Sequence, residues 1–211
     1  MTRLNVLLAA ALLAVPSGDA IAQRTVEGTA LLSGEPPSIR IQFDSAFQYL
    51  GSQELDLYDV AHAEQHFFAD LEGERIQRLY WIQFEQYQPA HDYTHDYSNL
   101  PEVVTIGGHP FRTDARLWNF DTMEVDPESD FGRALAFLEE RGYTFGPGFA
   151  RQRMVWVYDD SKRSDIIIIY AEDLSLHDLN AKELSGQESD WKDVAEELKA
   201  RALAGFALTD L

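Results

Sequence analysis

The 211-residue chain has no cysteine, which excludes disulfides, thiol nucleophiles, thiolate-bound metals and a lipid-modified cysteine. It is poor in positive charge: 17 Lys and Arg stand against 36 Asp and Glu, a formal net charge of −19. That balance argues against a nucleic-acid partner, because neutralising phosphates takes clustered cations. It disfavours an anionic membrane surface for the same reason. Internal apolar runs of the roughly 20 residues that a membrane span requires are also missing. So are a G-x-S-x-G elbow, a P-loop and a G-x-G-x-x-G turn, and nothing marks any serine as activated.

What is present belongs to a folded domain. Hydrophobic residues make up 45%, aromatics 12% and charged residues 25%, which excludes a chain too polar to offset its own entropy. At the N-terminus Arg3 precedes ten unbroken Val, Leu and Ala residues, 6–15. Pro16, Ser17 and Gly18 end that run, and Ala20-Ile21-Ala22 follows with small residues at alternate positions. As a helix the run rises only about 15 Å, half the hydrocarbon core. Residues 1–22 therefore read as a secretory signal peptide cleaved after Ala22, which predicts a periplasmic or secreted protein. Residues 23–38, with Pro36-Pro37, read as a mobile leader. Residues 39–211 hold no internal linker and read as one domain.

Ile39, Ile41 and Phe43 alternate with polar residues, as a half-buried strand requires. Residues 61–70 fit either a helix or a strand, and the β-branched and aromatic stretch 75–87 favours a hairpin of the two across a Gly73 turn. Strands over 102–106 and 111–120 are joined at Gly107-Gly108. Asp126-Pro127 then starts a helix whose stripe is Phe131, Ala134, Leu135 and Leu138, closed by Arg141-Gly142. A second hairpin pairs 152–158 with 166–170 across a charged turn, 159–165. Four consecutive isoleucines, 166–169, indicate a strand covered on both faces and so central in its sheet. Trp191, Val194, Ala195, Leu198 and Phe206 share one face of a C-terminal helix over 189–206. The fold expected is α+β: a curved antiparallel sheet built from hairpins, with the mid-chain and C-terminal helices on one of its faces. Residues 78–82 and 153–157 echo each other (Arg, apolar, then Trp), which raises a duplicated hairpin.

Three constellations could carry chemistry. His62-Ala63-Glu64-Gln65-His66 fails as a zinc-protease helix, because Ala63 stands where the general-base Glu belongs. On a strand both histidines and Glu64 share a face, but the histidines lie about 13 Å apart, so a solvated edge-strand face is the favoured account. The loop His91-Asp92-Tyr93-Thr94-His95-Asp96-Tyr97 offers imidazole and carboxylate ligands to a divalent metal through His91, Asp92, His95 and Asp96, against a plain polar loop. Trp81, Gln83, Glu85 and Tyr87 form an aromatic, amphipathic row along the strand 75–87. Such a row suits a small-molecule pocket and equally a sheet face covered by the C-terminal helix. The leading expectation is an exported protein that binds a small, partly apolar molecule without catalysis. The alternatives are a metal-dependent His/Asp hydrolase and a structural protein of the cell envelope. No cofactor is specified by any motif.

Overall fold

The computed structural model describes residues 24–100, 102–184 and 188–211; the signal peptide and its cleavage site lie outside the described residues. The first strands are β1 (Arg24–Glu27), β2 (Ala30–Ser33), β3 (Ile39–Phe43), β4 (Gln48–Leu57), β5 (Ala61–Glu72) and β6 (Arg75–Tyr87). They are followed by β7 (Glu102–Ile106), β8 (His109–Asn119), helix α1 (Asp130–Glu139), β9 (Gly148–Val157) and β10 (Ser164–Asp173). A 3-10 turn (Leu174–His177), the short α2 (Ala181–Leu184), α3 (Glu188–Ala204) and β11 (Phe206–Asp210) complete the described chain. The strands form two antiparallel sheets, so the fold is α+β. The larger sheet runs β4-β5-β6-β10-β9-β8-β7 and the smaller β1-β2-β3-β11.

The isoleucine run explains the layering. β10 is the middle strand of seven, and successive side chains of a strand point to opposite faces. Ile166, Ile168 and Tyr170 join Tyr80, Ile82 and Phe84 in one apolar cluster, with Ile39, Ile41, Phe43 and Leu208 of the small sheet and Leu198 and Ala202 of α3. Ile167, Ile169 and Ala171 join Leu79, Trp81 and Phe67 in another, with Ala134, Phe137 and Leu138 of α1. Both faces are thus buried, as an unbroken run of aliphatics demands.

Several expectations need correction. The two helices lie on opposite faces, not one: α1, with loop residues such as Leu100 and Phe120, covers the Trp81 face, while α3 and the small sheet cover the Tyr80 face. Residues 24–33, expected in a mobile leader, form the β1–β2 hairpin, and β2 pairs on into β3. Leu31 at 1% exposed shows why: its side chain is part of the first cluster. The C-terminal helix does not run to Phe206. It gives way at Gly205, and Phe206 and Leu208 pair across from Phe43 and Ile41 as an added strand. The cap of α1 is Ser129, whose Oγ accepts the Gly132 N–H at 3.0 Å. Asp126 instead holds the preceding turn, accepting the Glu128 N–H at 2.9 Å and the Tyr58 O–H at 2.8 Å. The buried stripe accordingly includes Phe137, which stacks on Phe67 at 5.0 Å, and leaves Leu135 only half-buried. Gly142, at φ +87°, closes the helix as expected. The two echoed tryptophans do not occupy equivalent places: Trp81 sits opposite Ile169 and Trp156 opposite Ile166, on different faces of the sheet.

Candidate functional site

The row Trp81, Gln83, Glu85 and Tyr87 stands on β6 and faces α1. Trp81 is 2% exposed, with the Phe131 ring stacked 6.4 Å away and Phe67 at 6.2 Å. Gln83 lies within a chain of amides that crosses three strands. Gln53 donates to Gln65 at 2.7 Å, Gln65 to Gln83 at 2.7 Å, and Gln83 to Glu85 at 2.9 Å. Gln65 also donates to the Asp130 carbonyl at the start of α1, 3.2 Å away. A buried polar chain of this kind ties sheet to helix because each member would be costly to leave unpaired. Trp81 and Gln83 are therefore covered, by α1 rather than by the C-terminal helix, while Tyr87 packs on Tyr93 and His95 of the loop.

Glu85 ends that chain in a setting that disfavours its charge. Burial pushes it up to about 7, against the hydrogen bond from Gln83, and the Asp130 carboxylate adds to the rise. Directly across the β6–β10 pair stands Asp165, where opposed side chains have Cβ atoms about 5 Å apart. Asp165 is fully buried and raised well above the ordinary carboxylate range, by burial and by Glu85, against the hydrogen bond from Tyr97. Its Oδ2 accepts the Tyr97 O–H at 2.6 Å and lies 3.3 Å from His95 Nδ1. Its Oδ1 has no hydrogen-bond partner. His95 stacks on Tyr87 at 4.4 Å and runs parallel to Tyr97 at 6.0 Å. Burial lowers its pKa, so the imidazole is held towards its neutral form.

The fold thus joins members of two of the three candidate sets. Tyr87 from the strand stacks on His95 from the loop, and Glu85 reaches it through its register partner Asp165, because the His95 backbone N–H pairs with the Lys162 carbonyl at 2.7 Å at the end of the β9–β10 hairpin. The proposed metal ligands do not converge. His95 turns inward, while Asp96 faces out and accepts the Ser98 N–H at 2.9 Å. His91 contacts the Asp59 carbonyl at 3.1 Å, and Asp92 is exposed. Among the described residues no three His, Asp or Glu side chains are grouped as a metal would need. On β5, His66 is buried and bonded to Glu64 at 2.6 Å, and Arg24 meets the same carboxylate at 2.5 Å. His62 is exposed beside Asp56. Asp165 and Tyr97 were missed as a pair, since Asp165 lies within what reads as a charged turn.

Among the clefts of the described residues, two border strands of the larger sheet. One, of about 620 Å³, lies on the Tyr80 face between α3 and strands β8 and β9. Thr113, Ala115 and Gln152 supply residues from the strands, and Trp191, Lys192, Ala195, Glu196 and Lys199 supply the helix side. At its mouth Lys199 pairs with Glu102 at 2.8 Å. Gln152 donates to the Thr113 hydroxyl, which donates in turn to the Arg153 carbonyl at 2.7 Å. The other, of about 530 Å³, borders His95 and Tyr97. Comparison with protein-family models, with curated proteins and with solved structures finds no match to this chain.

Proposed function

We propose that the protein binds a small, partly apolar molecule in the cleft between α3 and the larger sheet, without converting it. The observation that carries this reading is the shape and lining of that cleft. Its volume, about 620 Å³, falls within the 300–1,000 Å³ typical of small-molecule sites. Trp191, Ala115 and Ala195 offer apolar contact, the Thr113 and Gln152 pair gives a fixed polar patch, and Lys192, Glu196 and the Lys199–Glu102 pair ring the mouth. Such a site suits an apolar body with one polar end. The Glu85–Asp165 pair, which has the perturbed carboxyls expected of catalysis, projects from the opposite sheet face.

The experiment is a calorimetric titration with 1-anilinonaphthalene-8-sulfonate, an aromatic body with one anionic end. Wild-type protein should show one saturable site. Ala195→Phe, which fills the cleft from the helix side, should weaken it at least tenfold while the melting temperature stays within a few degrees. Equal binding by the two proteins would defeat the reading. We further propose that the protein acts outside the cytoplasm after losing residues 1–22. Intact mass of exported material should place the new N-terminus at Gln23, and a soluble cytosolic form retaining Met1 would contradict that.

A further inference from the structure

The second cleft points to a different ligand. It opens where residues 95–98 meet β8, the end of β9 and the β9–β10 turn. His95 lines it and is 5% exposed, and its Nε2 is buried with no hydrogen-bond partner. Asp165, 0% exposed, has the second orphan, Oδ1.

The chemistry of His95 Nε2 is settled by what its neighbours do. Asp165 Oδ2 already takes the Tyr97 O–H and faces His95 Nδ1. Because Oδ2 is the oxygen that accepts the Tyr97 O–H, it faces Nδ1 as an acceptor, which makes Nδ1 the protonated ring nitrogen and leaves Nε2 as an acceptor on the opposite edge. Nε2 is then a buried acceptor without a donor, the arrangement that a ligand or water completes. The charge of the lining says which donor is favoured. Asp96, Asp159 and Asp160 stand against Arg112 and Lys162. Arg112 spends a guanidinium N–H on the Leu100 carbonyl, 3.3 Å away. Pro110, Val155 and Trp156 give the cleft an apolar flank.

We propose that this cleft binds a small organic cation, an amine or amidine on an apolar body, whose N–H donates to His95 Nε2 while Asp165 holds the imidazole in place. Asp165 is the positioning residue. The proposal is independent of the α3 cleft.

Three probes of one shape separate cation, neutral molecule and anion: benzamidine, benzamide and benzoate, titrated calorimetrically into the full chain. Benzamidine should saturate one site, with the other two at least tenfold weaker. His95→Phe keeps an aromatic ring between Tyr87 and Tyr97 but removes the nitrogens, and should weaken benzamidine at least tenfold. Ala195→Phe should leave benzamidine binding unchanged. Benzoate or benzamide binding as tightly as benzamidine, no saturable benzamidine site, or indifference to His95→Phe would each overturn the proposal. Should His95→Phe fail to fold, imidazole nitrogen NMR of the wild-type protein decides. Benzamidine must then move the His95 Nε2 resonance, and a shift confined to the other histidines, or none, overturns it.

Discussion

Replacing Glu85 by Gln removes the charge that the fold tolerates least while keeping an acceptor for the Gln83 side chain. In the folded protein Glu85 is pushed from an ordinary value near 4.5 up to about 7. Unfolding returns it to the ordinary value, so between those pH values the folded state holds a proton that the unfolded state has released. Stability contributed by this group is therefore fully present below about pH 4.5 and is lost as the pH rises through 7. A rise of this size corresponds to about 3 kcal/mol, at about 1.4 kcal/mol per pH unit. Asp165 acts with the same sign and is itself raised in part by Glu85, so the substitution relaxes both. The assay is urea denaturation at pH 5 and pH 8. At pH 5 the two proteins should unfold at similar urea concentrations. At pH 8 the Glu85→Gln protein should be more stable by about 2–3 kcal/mol, with a flatter dependence on pH. Equal pH slopes in the two proteins would refute the assignment of that slope to the buried pair.

Ser129→Ala should cost about 1 kcal/mol in denaturant unfolding through loss of the α1 cap, whereas Asp126→Ala should cost less, because Asp126 bonds a turn outside the helix. Gly107→Ala should destabilise by about 2 kcal/mol or more. Gly107 sits at φ +59°, and an added Cβ would come within 2.5 Å of the Leu208 backbone oxygen, which β11 pairing holds in place. An alanine at position 107 with unchanged thermal stability would show that the β7–β8 turn does not rest against β11 as described.

Alternation and turn chemistry made most of the larger sheet legible. Residues 75–87 read as one strand because Tyr80, Ile82 and Phe84 alternate with Trp81, Gln83 and Glu85, and the isoleucine run marked β10 as central. Tertiary pairing hid the rest. Phe206 falls in helical phase with Leu198, so only its pairing with Phe43 distinguishes a strand from a longer helix. The β1–β2 hairpin was masked by Pro36-Pro37 and by glycines that suggest mobility, although Leu31 is core. Within the candidate site, Glu85, Tyr87 and His95 were singled out for their chemistry, but not as one group. Their meeting depends on Asp165, 80 positions beyond Glu85 by number and directly opposite it by register. The α3 cleft had no motif at all. Ala115 and Ala195 line it because they are small, and small residues leave no mark in a hydrophobic pattern.

The most direct test of the ligand-binding account is an amide chemical-shift titration of the wild-type protein with 1-anilinonaphthalene-8-sulfonate. The largest shifts should fall together on Thr113, Ala115, Gln152, Trp191, Ala195 and Lys199, the residues that line the α3 cleft. Shifts centred instead on β5 and β6 around Trp81, or scattered over the surface without saturation, would contradict it.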